Sequence, residues 1–403
     1  VSAPAAPSLV RLYVFALLGW AFDFYDLVLL GFVKDPVARD LHMTPSTEAW
    51  VLGVALGASG LGGIAAGLLA DRVGKRTMLG WTIFVYSAGS LMCGLATSAA
   101  AFAVGRGVVG LGVGGEWAIG HGMLAEAVAP EKRGRWSAAL QSGEPFGVAL
   151  ATIVGFVLVP RVGWRAVLVG SSVTALLALA VRASSHLPNE RVARTGALRE
   201  LLRPGLSSRL GAAWLLGVFK LGTYWSCYTW LPSFLVREMH QQTGRSLTWL
   251  LTAQCGQLVG MLTFGLVADR AGRRPAFTAY SVLTACALAP LALAWSWLSE
   301  HPAVFWTTML ALGVGSGCTA GFGALLAELF PTEVRGAAMG TTYNLARAAQ
   351  LLAPVVVHAA VTRAGLAGGL GVPFVLALAT ASWVWVLPET RGIALPSLSR
   401  DAR

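Results

Sequence analysis

Residues 67–76 read GLLADRVGKR, and residues 265–274 read GLVADRAGRR. Gly67, Leu68, Ala70, Asp71, Arg72, Gly74 and Arg76 return as Gly265, Leu266, Ala268, Asp269, Arg270, Gly272 and Arg274. The offset is 198 (265 minus 67), about half of the 403-residue chain. A second passage repeats in the same order. GVGGEWAIGHG at 112–122, followed by Glu126, Pro130, Arg133 and Gly134, is answered by GVGSGCTAGFG at 313–323, followed by Glu328, Pro331, Arg335 and Gly336. Two echoes in the same order, at offsets of 198 and 201 (313 minus 112), mean that the chain consists of two halves of one plan.

The composition places that plan in a membrane. Hydrophobic residues make up 56% of the chain, charged residues 12%, and the mean hydropathy is +0.66, whereas about a quarter of a soluble domain is charged. A bilayer span needs roughly 20 mostly apolar residues. About twelve such windows occur, six per half: 9–33, 48–70, 77–96, 101–128, 135–159 and 164–184, then 210–236, 247–268, 275–297, 303–329, 336–362 and 370–387. The predicted fold class is therefore an all-α integral membrane protein of two pseudo-symmetric six-helix bundles. The bundles cover residues 1–185 and 210–403, joined by a polar, basic linker over 186–209 that holds a short surface helix. Head-to-tail repeats in so apolar a chain point to a secondary transporter.

The net charge of +11 is a matter of topology, not of nucleic acid. Twenty of the thirty basic residues fall in the segments on Arg11's side of the membrane, seven in the opposite loops, and Arg106, Lys220 and Arg347 inside spans. The positive-inside bias predicts that both termini are cytoplasmic. The five cysteines lie within predicted spans without metal-ligand spacing and read as small buried residues. No cleavable signal peptide is expected, because the first apolar run carries two aspartates and continues into the fold.

The repeated loop, the Arg106-xxx-Gly-x-Gly-x-Gly stretch, the PEKRG and PTEVRG loops and the LPETRG at 387–392 together resemble the major facilitator superfamily over nearly the whole chain. That resemblance implies a substrate site between the bundles at mid-membrane and alternating access by rocking. Asp23-x-x-Asp26 in span 1 and Gly114-Gly115-Glu116-Trp117 in span 4 resemble the proton-linked organic-acid symporters, which take up aromatic acids, sialate, lactate and related carboxylates. Physically, Asp71 or Asp269 can accept backbone N–H groups or an arginine at a neighbouring helix end, and Gly74 and Gly272 permit a tight turn. Gly67, Asp71, Arg72, Gly74 and Arg76, with Asp269, Arg270, Gly272 and Arg274, form the expected conformational latch. By resemblance the latch holds the outward-facing state. Topology signals alone would also account for its basic residues.

Charges in mid-span need a reason, since each costs about 2.5–3.5 kcal/mol at a helix centre even on insertion scales. The acids Asp23, Asp26, Glu116 and Glu144 and the base Arg106 lie in the first half, and Lys220 and Arg347 in the second. Aligning the halves sets Asp23 and Asp26 opposite Ser226 and Thr229, and Glu116 opposite Gly317. A shared scaffold does not explain charges present in one copy only. The expectation is that the first half carries the proton on Asp23 or Asp26, with Glu116 or Glu144 as second choices and Arg106 tuning them; a static pair of Arg106 with one acid is the alternative. The second half grips an anion. Arg347 supplies a planar fork, Asn344 shares its face, and Lys220, Tyr224, Gln254 and Gln257 complete the site. Lys220 could equally pair with a first-half acid as an inter-bundle gate.

Tyr224, Trp225, Tyr228 and Trp230 suit either a pocket wall or an interfacial belt. His121 reads as packing more readily than as a proton relay. Gly110-x-Gly112-x-x-Gly115 matches a dinucleotide fingerprint but lies in an apolar run, without the strand that motif needs. The sequence therefore predicts an inner-membrane, proton-coupled symporter of a small organic anion, a monocarboxylate or aromatic acid, acting as a monomer. No enzyme activity, metal or cofactor other than the coupling proton is expected. A proton-linked sugar porter is the main alternative, but a neutral sugar needs no buried cation. A drug–proton antiporter and a transporter-like sensor are the others.

Overall fold

The computed structural model describes residues 9–184, 197–239 and 243–397; the side chains of Asp71, Tyr228 and Trp230 lie outside the described set. The described residues are helical almost throughout and contain no strand. Among the described residues, seven helical stretches are long and apolar enough to cross a bilayer by length and composition. One of them, Pro130–Val181, is 52 residues long and holds two passes, because Gly163 (φ 80°) breaks it. Many large apolar side chains face outward, among them Leu61, Phe84, Val104, Phe156 and Val375. Hydrocarbon accepts such a surface where water would not.

The spans follow the predicted windows with physically informative departures. Span 1 is one helix, Leu9–Asp40, and runs past the expected end at residue 33 through Pro36. Spans 2, 3 and 4 are Pro45–Val73, Lys75–Gly94 and Ala99–Ala127. Span 5 is not one continuous helix. Arg133–Gln141 gives way at Ser142 to Gly143–Ile153, then to a π-helical turn at Val154–Leu158. Pro145 cannot donate to the preceding turn, and the break lies beside Glu144. Span 6 runs from the Gly163 kink to Ala183.

In the second half, a short helix Ala197–Leu201 precedes span 7, Leu206–Met239. Leu201 is buried in the core, so that helix is docked, not a free surface element. Residues 186–196 of the predicted linker are outside the described set. Spans 8 and 9 are Thr243–Ala271 and Arg273–Leu293. Span 10, Pro302–Ser316, tightens to a 3-10 turn at Gly317–Gly321 and resumes as Phe322–Leu329. Span 11 begins at Arg335, and Ala364 and Gly365 (φ 64°) separate its continuation from span 12. Cys93, Cys227 and Cys318 are buried as expected, but Cys255 and Cys286 are exposed on the outer faces of spans 8 and 9.

The glycines of the nucleotide-like fingerprint serve helix packing. A Cβ on Gly110 would strike the Ala55 carbonyl, one on Gly112 the Tyr86 backbone, and one on Gly115 the Ala66 methyl. Their missing side chains let span 4 lie directly on spans 2 and 3.

Candidate functional site

The halves meet along a seam that is tight at the face carrying the repeated loops and loosens away from it. One stripe of span 2 records this. A Cβ on Gly67 would lie 2.4 Å from the Gly336 carbonyl oxygen, and one on Gly63 would lie 2.0 Å from Asn344 Nδ2. At Gly60 the nearest atom is Ala348 Cβ at 3.6 Å, and at Gly57 and Gly53 there is nothing within 4 Å. These residues are spaced three and four apart and share one helix face.

Charged contacts seal the tight face. Asp269 accepts from the backbone N–H groups of Gly134 (2.9 Å) and Arg135 (3.0 Å), which open a helix of the other half, from Arg135 Nε (3.1 Å) and from Arg273 Nη1 (2.9 Å). Arg335 Nη1 reaches across to Glu126 (2.7 Å), which also accepts from Lys75 (2.6 Å). Arg273 forks onto Glu328 through Nε (3.1 Å) and Nη2 (2.8 Å). Arg133 and Arg335 make matching bonds, each 3.0 Å from Nε to the carbonyl of Ala125 or Ala327. Gly74 (φ 94°) and Gly272 (φ 110°) form the sharp turns into spans 3 and 9. Arg76 donates to the Ser184 carbonyl and Arg274 to that of Leu387, whereas Arg72 and Arg270 are exposed. The inter-half work therefore falls to Glu126, Arg135 and Arg335 as well as Asp269. The repeat pattern marked Glu126 and Arg335, but the expected latch omitted them.

Mid-membrane, Asp23, Asp26, Arg106, Glu116, Glu144, Lys220, Gln257, Asn344 and Arg347 are all buried, each at most 4% exposed. They fall into groups the sequence did not separate. Asp26 is fully engaged: Arg106 Nη1 donates to Oδ2 (2.8 Å) and Ser90 to Oδ1 (3.0 Å). Asp23 lies 3.9 Å from Arg347 Nη1, an ion pair between span 1 and span 11. Neither Asp23 oxygen nor Arg347 Nη2 has a hydrogen-bond partner among the described residues. Arg347 also lines a narrow cleft with Asp26, Arg106, Ser59 and Val113, and faces the Phe24 ring at 6.0 Å. Glu116 fills the notch left by Gly19, where a Cβ would lie within 1.7 Å of its Oε1; both its oxygens are also unpartnered among the described residues.

Glu144 belongs to a third group. Gln141 Nε2 and Gln257 Nε2 each donate to it at 3.0 Å, and Tyr224 also hydrogen-bonds it. Lys220 is close enough to act on it electrostatically. Trp117 Nε1 donates to Gln141 Oε1 (3.0 Å), and the Trp117 ring stacks on Tyr343 of the other half, with centroids 3.8 Å apart and planes 10° from parallel. His121 sits between Gln141 (3.3 Å) and Ser137 (3.4 Å) against Gly323. Asn344 spends its amide NH2 on the carbonyls of Gly114 (2.7 Å) and Gly340 (3.0 Å), so its contact here is with the seam. Gln254 on span 8 has a buried Oε1 with no partner among the described residues. Sequence reasoning missed Gln141, Tyr343 and Ser90. Only the GEW motif beside Trp117 hinted at them.

Comparison with known proteins matches this geometry to a family. A protein of Cupriavidus pinatubonensis named "Probable 4-methylmuconolactone transporter" is 31% identical over 397 residues, covering 94% of this chain and 90% of that protein. The sialic acid transporter NanX of Escherichia coli is 28% identical over 352 residues, covering 85% and 84%. The solved structure of the proton:xylose symporter XylE bound to 6-bromo-6-deoxy-D-glucose superposes with a TM-score of 0.77 at 18% identity, covering 98% of this chain and 99% of that one. The Major Facilitator Superfamily matches residues 13–354, so the chain, a multi-pass membrane protein of twelve spans in two bundles, belongs to that superfamily of transporters.

Proposed function

We propose that this transporter couples the entry of protons to the uptake of a small organic anion, a monocarboxylate or aromatic acid, across the cell's inner membrane. In this reading both termini and the sealed face are cytoplasmic. The observation that carries it is the Asp23–Arg347 pair, set across the seam at 3.9 Å and incompletely satisfied on both sides. A guanidinium offers a planar fork that one distant carboxylate oxygen does not fill, and a substrate carboxylate fits the remainder. Protonation of Asp23 removes the competing internal anion and frees Arg347 for substrate. Loss of that proton returns Asp23 to Arg347 and expels the substrate. Proton and anion thus act on one cation, which couples their movements without direct contact between them.

Asp26, already engaged by Arg106 and Ser90, is the less available acid, and the mid-span Lys220 supplies a second positive charge to the site. The relatives named for 4-methylmuconolactone and sialic acid, both compounds that carry a carboxyl group, support an anionic substrate. A sugar porter would leave both buried cations without a substrate-directed role. The test is uptake into proteoliposomes of labelled lactate, benzoate-type acids, sialate and a hexose, with and without an inward proton gradient and a protonophore. One acid accumulates only with the gradient; Asp23→Asn loses accumulation but keeps exchange of acid for acid; Arg347→Ala raises the half-saturating concentration. Accumulation of the hexose alone, or gradient-driven accumulation by Asp23→Asn, refutes the reading.

A further inference from the structure

The amide ladder beside the ion pair has one open end. An indole N–H can only donate, so the Trp117 contact at 3.0 Å fixes the Gln141 carbonyl toward Trp117 and its NH2 toward Glu144 Oε2. Glu144 Oε1 meets Gln257 at 3.0 Å. Gln257 donates its NH2 in that contact, which leaves its carbonyl turned away from Glu144. That carbonyl oxygen has no partner among the described residues, in a side chain that is 0% exposed. Buried acceptors are ordinarily paired, and an orphan one calls for a partner from elsewhere.

The complementary orphan is a donor, Arg347 Nη2. Tyr343 joins the two: it lies one turn before Arg347 on the same helix face, stacks on Trp117, and is within electrostatic reach of Arg347, Glu144 and Asp23. The site thus presents a fork that wants an anion and a carbonyl that wants an O–H or N–H. We propose that Gln257 is a specificity-determining residue whose carbonyl, oriented by Glu144, selects carboxylate substrates that also carry a hydrogen-bond donor. Glu144 is then a positioning residue. The inference rests on the anion-symport reading and refines its substrate class.

The experiment compares half-saturating concentrations in proteoliposomes for two acid skeletons, benzoate and propionate, each with its hydroxy and methoxy derivatives. Hydroxyl donates and accepts, whereas methoxyl only accepts. On the skeleton that accumulates, the hydroxy acid half-saturates at a concentration at least about tenfold below the methoxy acid, the ratio that ~1.4 kcal/mol supplies. In Gln257→Met, which keeps length but has no carbonyl, the ratio falls to about one, whatever the variant's overall rate. Glu144→Gln lets the Gln257 amide rotate and lowers the ratio as well; a merely structural Glu144 would alter rates and leave the ratio intact. Equal handling of hydroxy and methoxy acids by the wild type, or a preference that survives Gln257→Met, overturns the proposal. Failure of every acid to accumulate under the gradient removes the symport reading itself.

Discussion

Gly67→Ala is the smallest change that should force the two halves apart. The added Cβ would sit 2.4 Å from the Gly336 carbonyl oxygen, 2.8 Å from its carbon and 3.1 Å from Ala337 Cα, against ordinary contact at 3.4–4 Å. All three atoms are backbone of span 11 and cannot swing aside, so the seam has to widen by roughly 1 Å. Overpacking of this kind costs about 1–3 kcal/mol, and it falls only on the state in which this face is shut. The equilibrium between shut and open forms therefore shifts by the same amount, ~5- to 150-fold. A cysteine at Ala138, buried against Gly265 across the same face, reports the opening in a background with the exposed Cys255 and Cys286 replaced by serine. Its labelling by a small thiol reagent should accelerate by that factor. Gly31→Ala, where nothing lies within 4 Å, is the control and should leave the rate unchanged. Equal labelling in Gly67→Ala and Gly31→Ala would show that the seam is not the element that moves.

Two further perturbations address the sealing contacts. Glu328→Ala leaves the 1%-exposed Arg273 without the carboxylate it grips at two points. Arg273 keeps Asp269 at 2.9 Å, so the loss is part of the about 3–5 kcal/mol that an uncompensated buried charge costs, which a thermal unfolding midpoint in detergent would register; an unchanged midpoint refutes the pairing. Glu389 acts through protonation. Burial pushes its carboxyl up, but the backbone N–H groups of Arg273, Arg274, Arg391 and Thr390 outweigh this and hold it below its ordinary value of 4.5. Its contribution is therefore complete above 4.5 and lost as the pH falls through the lower folded value. Protease cleavage of the segment after Leu387 should rise only below pH ~4.5 in the wild type, and already at neutral pH in Glu389→Gln; identical pH profiles would contradict this.

The repeats and the spans were legible because a bilayer permits few solutions: an apolar window of given length becomes a helix, and a glycine run marks where helices touch. The Glu126, Arg133, Glu328 and Arg335 echo was legible as a pattern, but which partner each side chain takes depends on the rotation of one helix against another. Local sequence does not encode that rotation. The same limit hid the Trp117–Tyr343 stack and the bond from the Asn344 amide to the Gly114 carbonyl. The break in span 5 was visible in Ser142, Gly143 and Pro145, but the apolar window masked it. The functional consequence of that break, Glu144 between two glutamines, required a glutamine from span 8.

The separation of charges by half also has a consequence within the protein itself. All four mid-span acids lie in one half and two of the three mid-span cations in the other, which divides the tasks, and Arg347 lies against Asp23, so the asymmetry also builds a bond across the seam. The two partners differ in what they do when left alone. A carboxylate that loses its cation can take up a proton and become neutral, whereas a guanidinium keeps its charge at any working pH. Asp26 cannot stand in for Asp23, since Arg106 and Ser90 already occupy it. Asp23→Asn should therefore destabilise the protein more than Arg347→Ala, by part of the ~3–5 kcal/mol that an uncompensated buried charge costs. The double variant should recover most of that difference, because it buries no lone charge. Unfolding midpoints of the two single variants and the double variant at neutral pH decide the point. Equal losses in the singles that simply add in the double would mean that the 3.9 Å approach carries no interaction, and that Arg347 waits for substrate without an internal competitor.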